Sequence, residues 1–315
     1  MLIEEYKKII RLIDMAENIL ISGHIKHDAD SLSSVLAMSD WLWNKNKQVH
    51  PILHEKPADG FNFLKNISKI DSEGKWLGKN FDLIIVMDTG SLERANLTKY
   101  KDHKIPVINI DHHQGTLNFG QANIVDANCS STAELIFDFL QYVEHPIDKD
   151  LATTLLAGIG SDTELFYNSV TNAASVKKAS HLLELGADLP LISKKIFKQR
   201  KIEYLKFLGE VLERVEFNPK FKILYSTITN NDLEKFNLTD DEAFGISNLL
   251  KNTLEGEITL LLKEMPGGKI KGSLRSKNVN IEPLARVLGG GGHNKASGFV
   301  MNGKLVQTEK GWRVE

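Results

Sequence analysis

The chain has 315 residues, 42% of them hydrophobic and 25% charged, and 39 basic against 41 acidic side chains give a net charge of −2. That composition excludes collagen-like, low-complexity and wholly disordered chains, and the length suits two domains that each bury a core. The absence of a basic excess argues against coating long nucleic acid but leaves a short nucleotide substrate open. The single cysteine, Cys129, cannot form an internal disulfide, which fits a reducing cytoplasm.

The N-terminus carries Leu2, Tyr6, Ile9, Ile10, Ile13 and Ala16 at helical spacing. Its mixed charges lack the order of a signal peptide, so an amphipathic helix is expected. Asn18–Ser22 reads as a strand, then a helix from about Ser31 to Trp43. Val49–Leu53, Phe81–Met87 and Pro106–Ile110 are further apolar runs. Near-continuous hydrophobicity suits parallel strands buried on both faces. Helical patterns follow at Thr132–Tyr142, Leu151–Gly160 and Ala173–Leu185. Leu191–Phe217 is helical and charged, with nine Lys/Arg and four Glu between Lys194 and Lys222. That stretch reads as a solvated connector, or as a basic wall that attracts phosphates. Strands are expected at Lys222–Thr229, Glu257–Lys263, Lys269–Arg275 and Ala296–Met301, with helices at Asp240–Thr253 and Ile281–Leu288. No apolar run approaches the ~20 residues needed to span a membrane.

The expected fold is therefore α/β. An N-terminal parallel sheet with helices on both faces occupies residues 1–185. A helical linker covers 186–215, and a smaller α/β domain covers 216–315.

Ionisable residues gather just past the expected strand ends. Asn18–Ser22 runs into His24, Asp28 and Asp30, Phe81–Met87 into Asp88, and Pro106–Ile110 into Asp111, His112 and His113. Parallel strands bring such clusters to one edge, where ligands of open α/β sheets bind. Asp28, Asp30, Asp88 and Asp162 together would repel one another strongly unless protonated or neutralised by cations. Mixed carboxylate and imidazole donors suit two divalent metals, Mn(II) first and Fe, Co or Zn less specifically. A lone Asp in such a loop is more often a helix cap, and Asp30 before Ser31 fits that role.

The triplet Asp111-His112-His113 after its strand resembles the signature of the DHH phosphoesterase superfamily. The other signature elements follow in order: His24-Ile25-Lys26-His27-Asp28-Ala29-Asp30, Met87-Asp88-Thr89-Gly90 and Gly158-Ile159-Gly160-Ser161-Asp162-Thr163 with Phe166 behind it. Gly290-Gly291-Gly292-His293 with Ala296 and Gly298 resembles the signature of the associated C-terminal domain. The matches span residues 22–299. The first motif departs from the common pattern at His27 and Ala29, where Pro and Gly are usual, and substrate preference is the property this touches.

The resemblance implies one metal on His24, Asp28 and Asp88 and a second on Asp30, Asp88, His112 and Asp162, with Asp88 bridging. His113 then faces substrate, and Asp111 orients a histidine. The implied chemistry is in-line attack of water on phosphorus without a covalent enzyme intermediate. Arg275 and Ser276, with Gly291, Gly292 and His293, are expected to grip the terminal phosphate and base of the substrate. They would do so across a cleft that closes by hinge motion near 186–215. Ser131-Thr132-Ala133-Glu134 fits a capping box, which accounts for Glu134 without chemistry. Cys129 reads as structural.

Size and motifs then narrow the activity. RecJ-type exonucleases are longer, membrane-bound cyclic-dinucleotide phosphodiesterases carry membrane spans, and family II pyrophosphatases end in a different signature. The chain resembles the nanoRNase/pAp phosphatase group and stand-alone phosphodiesterases that cleave pApA or cyclic di-AMP. That implies a cytoplasmic Mn(II)-dependent hydrolase of short RNA or DNA oligonucleotides (nanoRNA, pApA) and of pAp. A cyclic di-AMP phosphodiesterase and a non-catalytic nucleotide sensor stay open as alternatives, and a homodimer is compatible with the family.

Overall fold

Strands of four or five residues, mostly apolar, set the first layer. The computed structural model describes residues 2–101, 104–196, 201–240, 243, 245–253, 256–309 and 311–315. Helix α1 (Leu2–Met15) leads into strand β1 (Asn18–Ser22), helix α2 (Ala29–Asn44) and strand β2 (Gln48–Ile52). Strands β3 (Leu83–Met87), β4 (Val107–Asp111) and β5 (Ala122–Val125) follow. The five strands form one parallel sheet in the order β2-β1-β3-β4-β5. Every residue of β3 and β4 is buried, the expected state of a strand covered on both faces.

Helices α3 (Thr132–Tyr142), α4 (Lys149–Asp162), α5 (Ala173–Glu184) and α6 (Leu189–Ile196) complete this part. Ile19, Ile21, Ile85, Met87 and Ile110 on one sheet face share a core with side chains of α1–α4. The other face differs from the expected helical cover. Leu20, Ile84 and Val86 meet Trp76, Phe81, Ala95, Leu97 and Tyr100, which belong to connecting segments whose described helical structure is limited to short 3-10 turns at Asp59–Phe61, Ile67–Lys69 and Thr98–Tyr100. The β2–β3 and β3–β4 connections have no sustained helical repeat, so isolated apolar residues seal that face instead.

The chain divides into two compact units, residues 1–199 and 200–315. The stretch 186–215, read as a linker, holds α6, whose Ile192 enters the first core, and α7 (Ile202–Glu213), whose Phe207 and Val211 enter a core of the second.

The second unit adds strands β6 (Glu216–Asn218) and β7 (Ile223–Ile228) and helices α8 (Asn230–Lys235) and α9 (Ile246–Thr253). Phe217, expected to end a helix, therefore lies in a strand. Strands β8 (Ile258–Met265) and β9 (Lys269–Ser276), helix α10 (Glu282–Val287) and strands β10 (Gly291–His293) and β11 (Ala296–Asn302) follow. The sheet order is β10-β11-β9-β8-β7-β6, with β7 and β8 parallel and the other neighbours antiparallel. Strands β12 (Leu305–Thr308) and β13 (Gly311–Val314) form a separate hairpin. Part of the helix expected over Asp240–Thr253 lies outside the described residues. Among the described residues, no helix is long and apolar enough to cross a membrane.

Candidate metal centre

In the first unit the strand order reverses at β1, which pairs with both β2 and β3. Ligands of open α/β sheets sit at such a crevice, beyond the carboxyl ends of the strands. The loop after β1 delivers His24 and Asp28, the first turn of α2 delivers Asp30, the end of β3 delivers Asp88, and the end of β4 delivers Asp111, His112 and His113. Asp162, the last residue of α4, joins them.

Three groups of these side chains keep their potential ligand atoms within 4.8 Å of one another: His24/Asp28/Asp88, Asp30/His112/Asp162 and Asp88/His112/His113. His24 Nε2 lies 3.4 Å from Asp88 Oδ2 and 3.7 Å from Asp28 Oδ2. His112 Nε2 lies 3.0 Å from Asp162 Oδ2, 3.6 Å from Asp88 Oδ1 and 4.0 Å from Asp30 Oδ2. Atoms that share an octahedral ion at roughly 2.1 Å sit about 3 Å apart, so the spacing suits cation ligation. Asp88 faces the two histidines with different oxygens.

Each histidine is turned by its other nitrogen. His24 Nδ1 is 2.7 Å from the Ile25 carbonyl, and His112 Nδ1 is 3.4 Å from the Cys129 carbonyl. A hydrogen on Nδ1 leaves the Nε2 lone pair for a cation. His112 Nε2 is buried and has no hydrogen-bond partner, although it lies 3.0 Å from Asp162 Oδ2. An orphaned buried nitrogen facing three carboxylates is what the donor set of a metal site leaves behind. His113 differs. Its Nδ1 is 2.7 Å from Asp111 Oδ1, and Asp111 also accepts from the Thr116 hydroxyl. The third group therefore draws on a nitrogen already engaged, and His113 keeps Nε2 for another partner.

The carboxylates are held as firmly. Asp30 accepts the Thr132 N–H (2.7 Å) and the Ala133 N–H (2.8 Å), the positive end of α3. The expected capping role belongs to Asp28 instead, whose Oδ1 accepts the Ser31 N–H while Oδ2 faces His24. Asp88 sits at φ +57°, a left-handed conformation that Asp tolerates better than most residues, and accepts the Thr132 hydroxyl at 2.9 Å. Past Asp162, Glu164, Leu165 and Phe166 are all left-handed, a rare run braced by Thr163, whose hydroxyl accepts the Phe166 N–H.

The electrostatics match this crowding. Burial, then Asp88 and Asp162, push the Asp30 carboxyl well above its ordinary range. Burial, against the opposing pull of His112, pushes Asp162 up to about 6. Burial acts to lower both His24 and His112. The facing carboxylates outweigh it, Asp28 and Asp88 at His24 and Asp162 and Asp30 at His112, and raise each to about 10. Without cations, protons must do the neutralising. Burial lowers the His27 imidazole below its ordinary range. Burial raises the Cys129 thiol to about 12, which leaves it inert.

Thr132, Thr116 and the Cys129 carbonyl were not singled out in the sequence. Thr132 was hidden inside the cap pattern of α3. That pattern is half made: Ser131 accepts the Glu134 N–H, but the Glu134 carboxylate takes Ser130 rather than returning to Ser131.

In the second unit, sheet register aligns Arg275, Ala296 and His293 across β9, β11 and β10, so the three share a face. Arg275 Nε donates to Asn248 Oδ1 of α9 at 2.7 Å, and Nη1 donates to the Leu274 carbonyl. Of the glycine run, Gly291 and Gly292 lie in the edge strand β10, while Gly289 sits in a turn at φ +76°. Gly292 takes φ +144°, and a Cβ there would lie 2.7 Å from the Ala296 carbonyl. Ser276 falls on the opposite face, fully buried, with its hydroxyl accepting the Val279 N–H. The structure does not bring it to Arg275.

A parallel sheet with carboxylates and imidazoles converging at its carboxyl edge defines an α/β protein with a candidate dinuclear metal centre. Residues 18–159 match the DHH family N-terminal domain and residues 220–309 the DHHA1 domain, so the chain carries both domains. It is 28% identical to a Streptococcus mutans protein named probable bifunctional oligoribonuclease and PAP phosphatase NrnA, over 93% of this chain and 92% of that one. It is also 28% identical to the Bacillus subtilis bifunctional oligoribonuclease and PAP phosphatase NrnA, over 92% and 91%. Its fold is similar to an exopolyphosphatase-related protein of Bacteroides fragilis, with a TM-score of 0.86, 24% identity and coverage of 94% and 90%. RecJ of Thermus thermophilus, solved with Mn2+, has a TM-score of 0.55 at 16% identity, covering 96% of this chain and 52% of that one.

Proposed function

We propose that the chain is a two-metal phosphoesterase. It hydrolyses short oligonucleotides such as pApA from the 5′ end to mononucleotides and converts pAp to AMP. The observation that carries the reading is the convergence of six metal-type ligands from the ends of β1, β3 and β4 and from α2 and α4 on one sheet edge. Near full-length likeness to two relatives named for these activities supports the substrate class.

His24, Asp28 and Asp88 would hold one cation, and Asp30, Asp88, His112 and Asp162 the other. Mixed oxygen and nitrogen donors favour Mn(II). Cations bound there would activate water and offset charge on the phosphoryl group. The chain's own residues do the rest. Asp111 fixes His113 by Nδ1, so Nε2 is the atom that hydrogen-bonds a phosphate oxygen or the leaving oxygen. Arg275, steadied by Asn248, offers a planar fork to a terminal phosphate, with Gly291, Gly292 and His293 on the edge strand β10, one strand beyond β11. Ser276 has no part in this reading because it is buried on the other face.

The test is a side-by-side product assay with Mn(II), using pApA, a longer 5′-phosphorylated RNA, pAp and cyclic di-AMP. Rapid turnover of pApA and pAp with slow loss of the longer RNA is expected. Preference for cyclic di-AMP would move the protein to cyclic-dinucleotide turnover. Binding without hydrolysis under any divalent metal would make it a sensor.

A further inference from the structure

One turn, residues 129–133, touches three of the six candidate ligands. Its Cys129 carbonyl faces His112 Nδ1, its Thr132 and Ala133 N–H groups donate to the two oxygens of Asp30, and its Thr132 hydroxyl donates to Asp88. None of these contacts needs a particular side chain except the last. The turn's position is therefore what matters, and something must fix it.

Behind the turn lies a buried charge pair. The Glu134 side chain is 1% exposed and that of Lys178, on α5, is 16% exposed. Glu134 Oε2 accepts both the N–H (2.9 Å) and the hydroxyl (2.8 Å) of Ser130, and Oε1 lies 3.0 Å from Lys178 Nζ. Lys178 also binds Asp138, one helical turn further along α3. Asn172, the N-cap of α5, donates to the Asn128 carbonyl on the other side of the turn. A buried ion pair is a poor way to add stability, since desolvation consumes most of the attraction. Capping alone would not require it, because Ser131 already accepts the Glu134 N–H. The carboxylate is spent on Ser130, next to the carbonyl that orients His112.

We propose that Glu134 and Lys178 are positioning residues for the metal centre, clamping the 129–133 turn so that His112, Asp30 and Asp88 are held in ligating geometry. This rests on the two-metal reading above. Neither residue touches a candidate ligand. They act through the turn, as partners behind metal ligands do, where substitution costs about 10- to 100-fold in affinity.

The experiment is Mn(II) titration calorimetry on the full chain, with thermal melts of the metal-free protein alongside. Glu134→Ala should raise the Mn(II) dissociation constant about ten-fold or more. Glu134→Gln, which keeps an acceptor for Ser130 but loses the charge facing Lys178, should fall between it and the parent. Lys178→Met should shift affinity the same way. Asp148→Ala, which removes the N-cap of α4 away from the turn, serves as a stability control and should leave Mn(II) affinity within two-fold. The idea is overturned if folded Glu134→Ala, or folded Glu134→Gln and Lys178→Met where the alanine variant does not fold, bind Mn(II) within two-fold of the parent. Equal weakening in Asp148→Ala also overturns it, by making affinity follow stability alone. A parent chain that binds no Mn(II) overturns both this proposal and the two-metal reading.

Discussion

Asp88 has three duties that no other residue could combine. Its backbone is left-handed at φ +57°, its two oxygens face His112 and His24, and it takes the Thr132 hydroxyl. Alanine would disturb all three. Asparagine tolerates the same backbone and keeps one oxygen acceptor while removing the charge. Asp88→Asn should therefore fold normally, with a metal-free melting temperature close to the parent's. Lewis-acid stabilisation is worth several kcal/mol, and each ten-fold in rate is roughly 1.4 kcal/mol, so pApA hydrolysis should fall about a thousand-fold or more. Activity within ten-fold of the parent would exclude Asp88 from a bridging role. At this scale the ligating types were legible because Asp and His follow apolar strands at the edge where ligands bind. Ser276 reads in sequence as Arg275's companion, but strand alternation turns it to the opposite face. The Cys129 carbonyl was not legible, since every residue has one and only the fold aims it.

Helices α2, α3 and α4 meet where Asp30 accepts its two N–H donors, and a glycine makes the meeting close. A Cβ on Gly158 would lie 2.5 Å from the Ala133 Cβ and 3.0 Å from Asp30 Oδ1 and the Ser33 Cβ. Gly→Ala in a helix gains about 1 kcal/mol in propensity. Overpacking a core costs about 1–3 kcal/mol, and here the obstacle is a neighbouring helix terminus rather than a flexible side chain. The cost should win. Gly158→Ala should lower the urea midpoint and weaken Mn(II) binding together, as Ala133 is pushed off Asp30. A stabilised variant with parental affinity would contradict that packing. Sequence periodicity located α1 to α5 and most strands because each carries a long apolar stripe or run. It did not reveal β5, β10 or the β12–β13 hairpin. These have only three or four residues, several of them glycine or half-exposed, and pairing with neighbours rather than local pattern makes them strands. The cover of the second sheet face was unreadable for a related reason. Single residues such as Trp76 and Leu97, scattered along connecting segments, do the work of a helix.

At the scale of the molecule, all six candidate ligands belong to the first of the two units, so proton and cation binding act on that unit's own stability. His24 is raised from 6.5 to about 10 by Asp28 and Asp88 acting against burial, and His112 moves the same way. A base whose folded value is raised contributes stability that is complete below pH 6.5 and is lost as pH climbs toward the folded value. Asp30 and Asp162 are raised too, so any part of their titration that reaches this range has the same sign. Asp28 and Asp111 are lowered, but their titrations lie at acid pH, outside the window. The metal-free protein should therefore lose melting temperature steadily between pH 6.5 and 8.5. Cations compete with those protons, so the increment given by saturating Mn(II) should grow over the same interval. Calorimetric scans at three or four pH values, with chelator and with Mn(II), measure both trends. A metal-free melting temperature that rises with pH would mean that the carboxylates are neutralised by something other than the two imidazoles. An increment that does not grow would mean that Mn(II) displaces no protons from His24 or His112, and the two-cation assignment would lose its electrostatic basis.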